Sequence, residues 1–243
     1  MCVVPITFVS QSLVVTKNPP PPDPPRSDTS KPTRTVPKAR QADFTKLIHR
    51  LDEDVQKLAR GLTNSDDAIR AWHDDMLSLI RTGHLDSYSL GVLRSAGVHV
   101  DPARAAEIAD QARDLESYYL LRFRNAILDG DPRYIDEDGL IRSKPIAQRS
   151  RLYLGSMRGT AGTGWVDGTS DTDQFDWRLG GTEEHCEDCP FISDGSPYDK
   201  LTLFTTPGAG RTPCLGNCLC HLVRVSDGQA SFKPVSLDPL DDL

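Results

Sequence analysis

Apolar residues recur along the middle of the chain with the rhythm of helices. Phe44, Leu47, Ile48, Leu51, Val55, Leu58 and Leu62 fall at i, i+3, i+4 and i+7, which predicts one amphipathic helix ending near Gly61. Ser65 is placed to cap a second helix by accepting an unpaired backbone N–H of its first turn. That helix buries Ile69, Trp72, Met76, Leu79 and Ile80, with Gly83 expected to stop it and a short helix or turn to follow around Ser87–Arg94. The third is the best punctuated, with Asp101 at the cap, Pro102 at the first helical position and Gly130 at the far end. Ala105, Ile108, Ala109, Ala112, Leu115, Tyr119, Phe123, Ala126 and Ile127 share its face, and at 1.5 Å per residue it makes a strut of about 40 Å. Residues 131–144 read as turns, and Pro145 opens a further helix carrying Ile146, Arg149, Leu152, Tyr153, Ser156 and Met157.

Gly159, Gly162, Gly164 and Gly168 then suggest a long loop reaching Asp173. It is no phosphate cradle, because G-x-x-x-x-G-K-[ST] and its strand-to-helix setting are missing. The expected architecture is mainly α. An extended arm and linker (1–40) precedes a helical body (41–160), a loop (161–175), a Cys-rich module containing short strands (176–226) and an acidic tail (227–243).

Composition refines this picture at both ends. Eight of the eighteen prolines lie between residues 17 and 40, where extended polyproline geometry is favoured and no core can form. The same stretch carries a charge of +4 on a chain whose net charge is −7, so residues 41–243 carry −11. A basic tether on an acidic body suits an acidic partner surface, and it is the only part of the chain suited to nucleic-acid contact. The first fifteen residues are apolar, but Pro5, Ser10-Gln11-Ser12 and the lack of a positive start argue against a signal peptide. They read as a β-prone arm able to add a strand to a neighbour. No run approaches the ~18–20 apolar residues of a membrane helix, so a soluble protein without membrane contact is expected.

The chemistry lies in the cysteines. Five of six fall between positions 186 and 220, in the pattern C-x2-C, 24 residues, then C-x3-C-x-C. Two short-spaced thiol turns separated by a loop are what a tetrahedral Zn²⁺ site requires, with sulfurs about 2.3 Å from the ion. Candidate ligands are Cys186 and Cys189 with two of Cys214, Cys218 and Cys220. Five thiols compete for four places, so one is a bystander or two form a disulfide, and His185 and His221 are possible substitutes or supporting groups. His49, His73, His84 and His99 share no ligand spacing.

A structural zinc would staple a loop-rich region lacking a core of its own. A thioredoxin-like redox centre would need a βαβ setting, whereas Pro190 and a loop are expected to follow Cys189. A nucleic-acid-binding ribbon would need basic knuckles, yet residues 176–221 carry a net charge of −4. G-x-S-x-G and H-E-x-x-H are both missing, so no enzymatic activity is expected.

Arg151-Leu152-Tyr153-Leu154-Gly155-Ser156-Met157-Arg158-Gly159, Trp177-Arg178-Leu179, Glu184-His185-Cys186-Glu187-Asp188-Cys189 and the ending Pro207-Gly208…Cys214…Asn217-Cys218-Leu219-Cys220-His221-Leu222 together resemble the minor head proteins of tailed bacteriophages, the head-morphogenesis group similar to the F protein of phage Mu. The resemblance covers residues 41–225, and its specific motifs are C-terminal. It matches the family's cysteine pattern at Cys186, Cys189, Cys218 and Cys220. Many members place a histidine just before the last C-x-C, where this chain has Cys214 one position further off, which leaves the fourth ligand open. The resemblance implies a structural protein of the virion head, present in the host cytoplasm during assembly. It would engage portal or major capsid protein, and the arm would reach other virion proteins.

Overall fold

A computed structural model describes residues 39–95, 99–182 and 184–240; the arm and linker, apart from Ala39 and Arg40, lie outside them. Helix α1 spans Gln41–Gly61, α2 Asp66–Ser95, α3 Pro102–Leu128 and α4 Ser143–Asp167. The capping chemistry is where the residue types put it. Ser65 Oγ accepts from the Ala68 amide at 3.2 Å, and Asp101 Oδ1 accepts from the Ala103 amide at 3.0 Å ahead of Pro102. Beyond α3, Gly130 takes a φ of +73°, and the chain turns away. Phe44, Leu51, Trp72, Met76, Ile80, Leu120, Phe123, Ile146 and Met157 of the four helices meet in one core.

The glycines behave differently from expectation. Gly83 does not stop α2, which runs on through the turn anticipated at Ser87–Arg94. The stretch from Gly159 is not a loop either, since α4 continues to Asp167 and only Gly168 lies beyond it. The reason is close approach. A Cβ on Gly164 would stand 2.1 Å from the Tyr88 carbonyl oxygen, and one on Gly91 would stand 2.1 Å from that of Ala161. Helices α2 and α4 therefore cross backbone to backbone, and glycine is the residue that permits it.

The acidic tail is also more than a tail. Phe232 is buried against Phe44 with ring centroids 4.8 Å apart, and Leu240 is buried too. Gln41 and Lys233 exchange two hydrogen bonds, the Lys233 amide donating to the Gln41 carbonyl at 2.9 Å and the Gln41 amide returning one at 3.2 Å. Arg151 grips Asp52 through two hydrogen bonds of 2.6 Å and donates to the Asp238 carbonyl at 2.7 Å. Residues 229–240 thus strap the helical body.

Downstream of α4, β1 (Phe175–Arg178) pairs antiparallel with β2 (His221–Arg224), Phe175 opposite Arg224 and Arg178 opposite His221. A seven-residue helix, α5 (Asp188–Asp194), lies between them in sequence. Trp165, Phe175, Trp177, Ile192 and Leu222 form a second core with Cys189, Cys218 and Cys220. The Cys-rich module is therefore not coreless: α4 contributes Trp165, whose ring meets Phe175 edge-on at 5.3 Å.

Substitution at the crossing tests this packing. Gly164→Ala should cost about 1–3 kcal/mol in urea denaturation through overpacking. Gly61→Ala, where a Cβ meets nothing within 4 Å, should be neutral or slightly stabilising.

Candidate metal centre

Two tight turns deliver the sulfurs. Cys186 ends the loop ahead of α5 and Cys189 sits in its first turn, the Cys189 amide donating to the Cys186 carbonyl at 3.2 Å. On the other side, a 3-10 turn over Leu215–Asn217 is flanked by Cys214 and Cys218, with the Asn217 amide donating to the Cys214 carbonyl at 3.0 Å. Leu215 takes a φ of 50°, which tightens that turn. Cys220 stands directly before β2, so sheet register fixes its place.

All five thiols converge. Cys186 Sγ lies 3.3 Å from both Cys189 Sγ and Cys214 Sγ, while Cys189 Sγ lies 3.8 Å from those of Cys214 and Cys218. Cys220 joins Cys189 and Cys218 in a second group, with its sulfur within 4.8 Å of theirs. These separations far exceed the ~2.05 Å of a disulfide, and all five cysteines are free. The shortest of them are close to the edge of a zinc tetrahedron, about 3.8 Å for sulfurs about 2.3 Å from one ion, and the thiols form two trios that share Cys189. The buried cysteine cluster can thus hold a metal ion. Neither His185 nor His221 enters either group.

Burial governs how readily these thiols ionise. Burial pushes the Cys218 thiol up to about 12 and raises Cys189 further, so neither ionises readily alone. Burial also opposes ionisation of Cys186, but hydrogen bonds with Cys189 and Cys214 outweigh it and lower its pKa. Thr212 Oγ1 lies 3.1 Å from Cys214 Sγ.

The residue that ties this cluster to the helical body is Arg158, only 4% exposed. Its Nη1 donates to the Cys220 carbonyl at 2.7 Å and its Nη2 to that of Cys218. Burial lowers its pKa, while the nearby Cys218, Cys220 and Cys214 sulfurs oppose that shift. Sequence reasoning did not single out Arg158. The available signal was a guanidinium between Met157 and Gly159 on a helix face that is otherwise apolar.

One element of the redox argument changes. Pro190 is followed by no loop but lies inside α5. The sheet is nevertheless a two-stranded antiparallel pair, so the βαβ setting of a thioredoxin-type centre is missing among the described residues. No helix among them is long and apolar enough to cross a membrane. No family model, curated protein or solved structure matches the chain.

Arg158→Met should lower stability by about 2–4 kcal/mol, because it leaves two buried carbonyls unpaired. Arg158→Lys should recover only part of this loss, lacking the two-pronged donor set. Denaturation midpoints together with metal content per chain measure both effects.

Proposed function

We propose that this chain is a non-catalytic structural protein of a tailed-phage head, stapled by one zinc ion and joined to portal or capsid protein during assembly. The observation that carries this reading is a coincidence of place. The segments resembling the minor head proteins are Arg151–Gly159, Trp177–Leu179, the Cys186/Cys189 turn and the Cys218/Cys220 ending. Arg158, Trp177 and those cysteines all fall in one contiguous unit where the module meets α4.

In this reading the ion is held by Cys186, Cys189, Cys214 and Cys218. Four of the six separations among them, 3.3–3.8 Å, lie near the edge of a zinc tetrahedron, and binding would draw Cys218 towards Cys186 and Cys214; in this reading Cys214 takes the place that the resemblance left open. Cys220 then serves as a buried neighbour. The ion supplies folding free energy and no reaction step, since all four coordination positions belong to the protein. The module meanwhile exposes Phe191 (81%) and Leu201 (96%), apolar area suited to contact with another virion protein.

Metal analysis of the purified chain should find about one zinc per molecule. Cys214→Ser should lose the ion and Cys220→Ser should keep it; the reverse result would assign the fourth position to Cys220. Mass spectrometry of purified particles of the phage encoding the chain should detect it in the head. Its absence from particles that need it for assembly would replace the structural reading with a scaffolding role.

A further inference from the structure

Where the 3-10 turn of the module meets α2, α3 and α4, the structure encloses a cavity of about 300 Å³. That volume sits at the small end of ligand pockets, enough for one head group and its stem. Three buried polar atoms facing it have no hydrogen-bond partner: His84 Nε2, Glu116 Oε2 and Tyr153 Oη. Buried polar groups are nearly always paired, so three together point to something that completes them.

Of the three, Glu116 Oε2 can only accept, while the Tyr153 hydroxyl and the His84 ring nitrogen can also donate. The Ser156 hydroxyl reaches both Glu116 Oε1 and the Tyr153 carbonyl, and it has a single proton for the two. His84 is 1% exposed, with Nδ1 2.7 Å from Thr160 Oγ1 and Nε2 3.6 Å from Glu116 Oε2, too far for a hydrogen bond. Arg149 also lines the cavity, but its guanidinium lies over the Phe123 ring, 6.0 Å from the centroid, and makes no ion pair with Glu116 among the described residues. The Glu116 carboxylate, its side chain 13% exposed, thus has His84 as its nearest cationic candidate, at ion-pair distance when that ring is protonated, and its Oε2 makes no hydrogen bond. Around the mouth stand Leu115, Tyr119, Leu152 and Leu215, all large apolar side chains left exposed.

A carboxylate oxygen without a hydrogen bond, beneath an apolar mouth, suits a cationic head on an apolar stem. We infer that this cavity binds an ammonium or guanidinium group on an apolar stem, with the head on Glu116 and the stem against Leu115, Leu152 and Leu215. A free amine and a lysine or arginine side chain of a partner protein share this chemistry. The inference is independent of the head-protein reading.

The test titrates the zinc-loaded full chain with butylguanidinium, with its neutral isostere butylurea, and with acetyl-Leu-Arg-Leu-amide, following NMR shifts at Tyr119, Ser156 and Thr160. Butylguanidinium should bind saturably and at least about tenfold more tightly than butylurea. Glu116→Gln should erase that preference. Leu152→Arg, at the exposed mouth, should abolish binding and serves if the first variant fails to fold. Tighter binding of the peptide would assign a partner's side chain as the guest, and tighter binding of butylguanidinium a free ligand. Equal binding of butylurea, no saturable shift, or an unchanged preference in Glu116→Gln would overturn the inference.

Discussion

A buried guanidinium ties the Cys-rich module to the helical body. Arg158 rises from α4, is buried on all sides, and spends its donors on the carbonyls of Cys218 and Cys220. A buried cation is costly unless hydrogen bonds and charge surround it; the two carbonyls supply the first, and thiolates on a bound ion would supply the second. If the cluster holds a divalent ion on four thiolates, as proposed, its net charge would be about −2, which the neighbouring guanidinium would half offset. The module therefore has one position on the helix, set by electrostatics as well as by packing.

Close backbone approach works toward the same end. A Cβ on Gly159 would fall 2.2 Å from the Ala209 amide nitrogen, so the chain leading to Cys214 lies directly on α4. One turn earlier, Gly155 faces the Gly216 carbonyl inside the 3-10 turn. With no side chains intervening, the sulfur turn is pressed against the helix that carries Arg158. Trp165, a little further along α4, then anchors the strand pair from beneath through Phe175.

This arrangement explains which features could be read from the chain. The apolar stripe from Phe44 to Leu62 and the Asp101–Pro102 cap are local signals, and they produced α1 and the start of α3 as expected. The paired cysteine spacings are local too, and the sulfurs meet. The glycines of α4 misled because their composition resembles a loop, while their cause is α2 and the 206–210 segment, distant in sequence. The acidic strap misled likewise: its charges are conspicuous, but Phe232 and Leu240 fix it to the body. Arg158, His84 and Glu116 left no pattern, because each gains its meaning from a partner on another element.

The cavity at the junction follows from the same long-range geometry. Its floor comes from α2, α3 and α4, but Ala209, Gly210, Leu215, Gly216 and Asn217 of the module close one side. Those residues lie between the two sulfur turns or within the second, so an ion bound at Cys214 and Cys218, as proposed, would also fix that wall. Helix packing alone would leave Glu116 and His84 facing an open groove, where water would satisfy them. With the wall in place they line a partly open cavity in which Glu116 Oε2 makes no hydrogen bond. Under both proposals, metal binding and the pocket's selectivity would be two consequences of one docking event, the sulfur turn seated on α4.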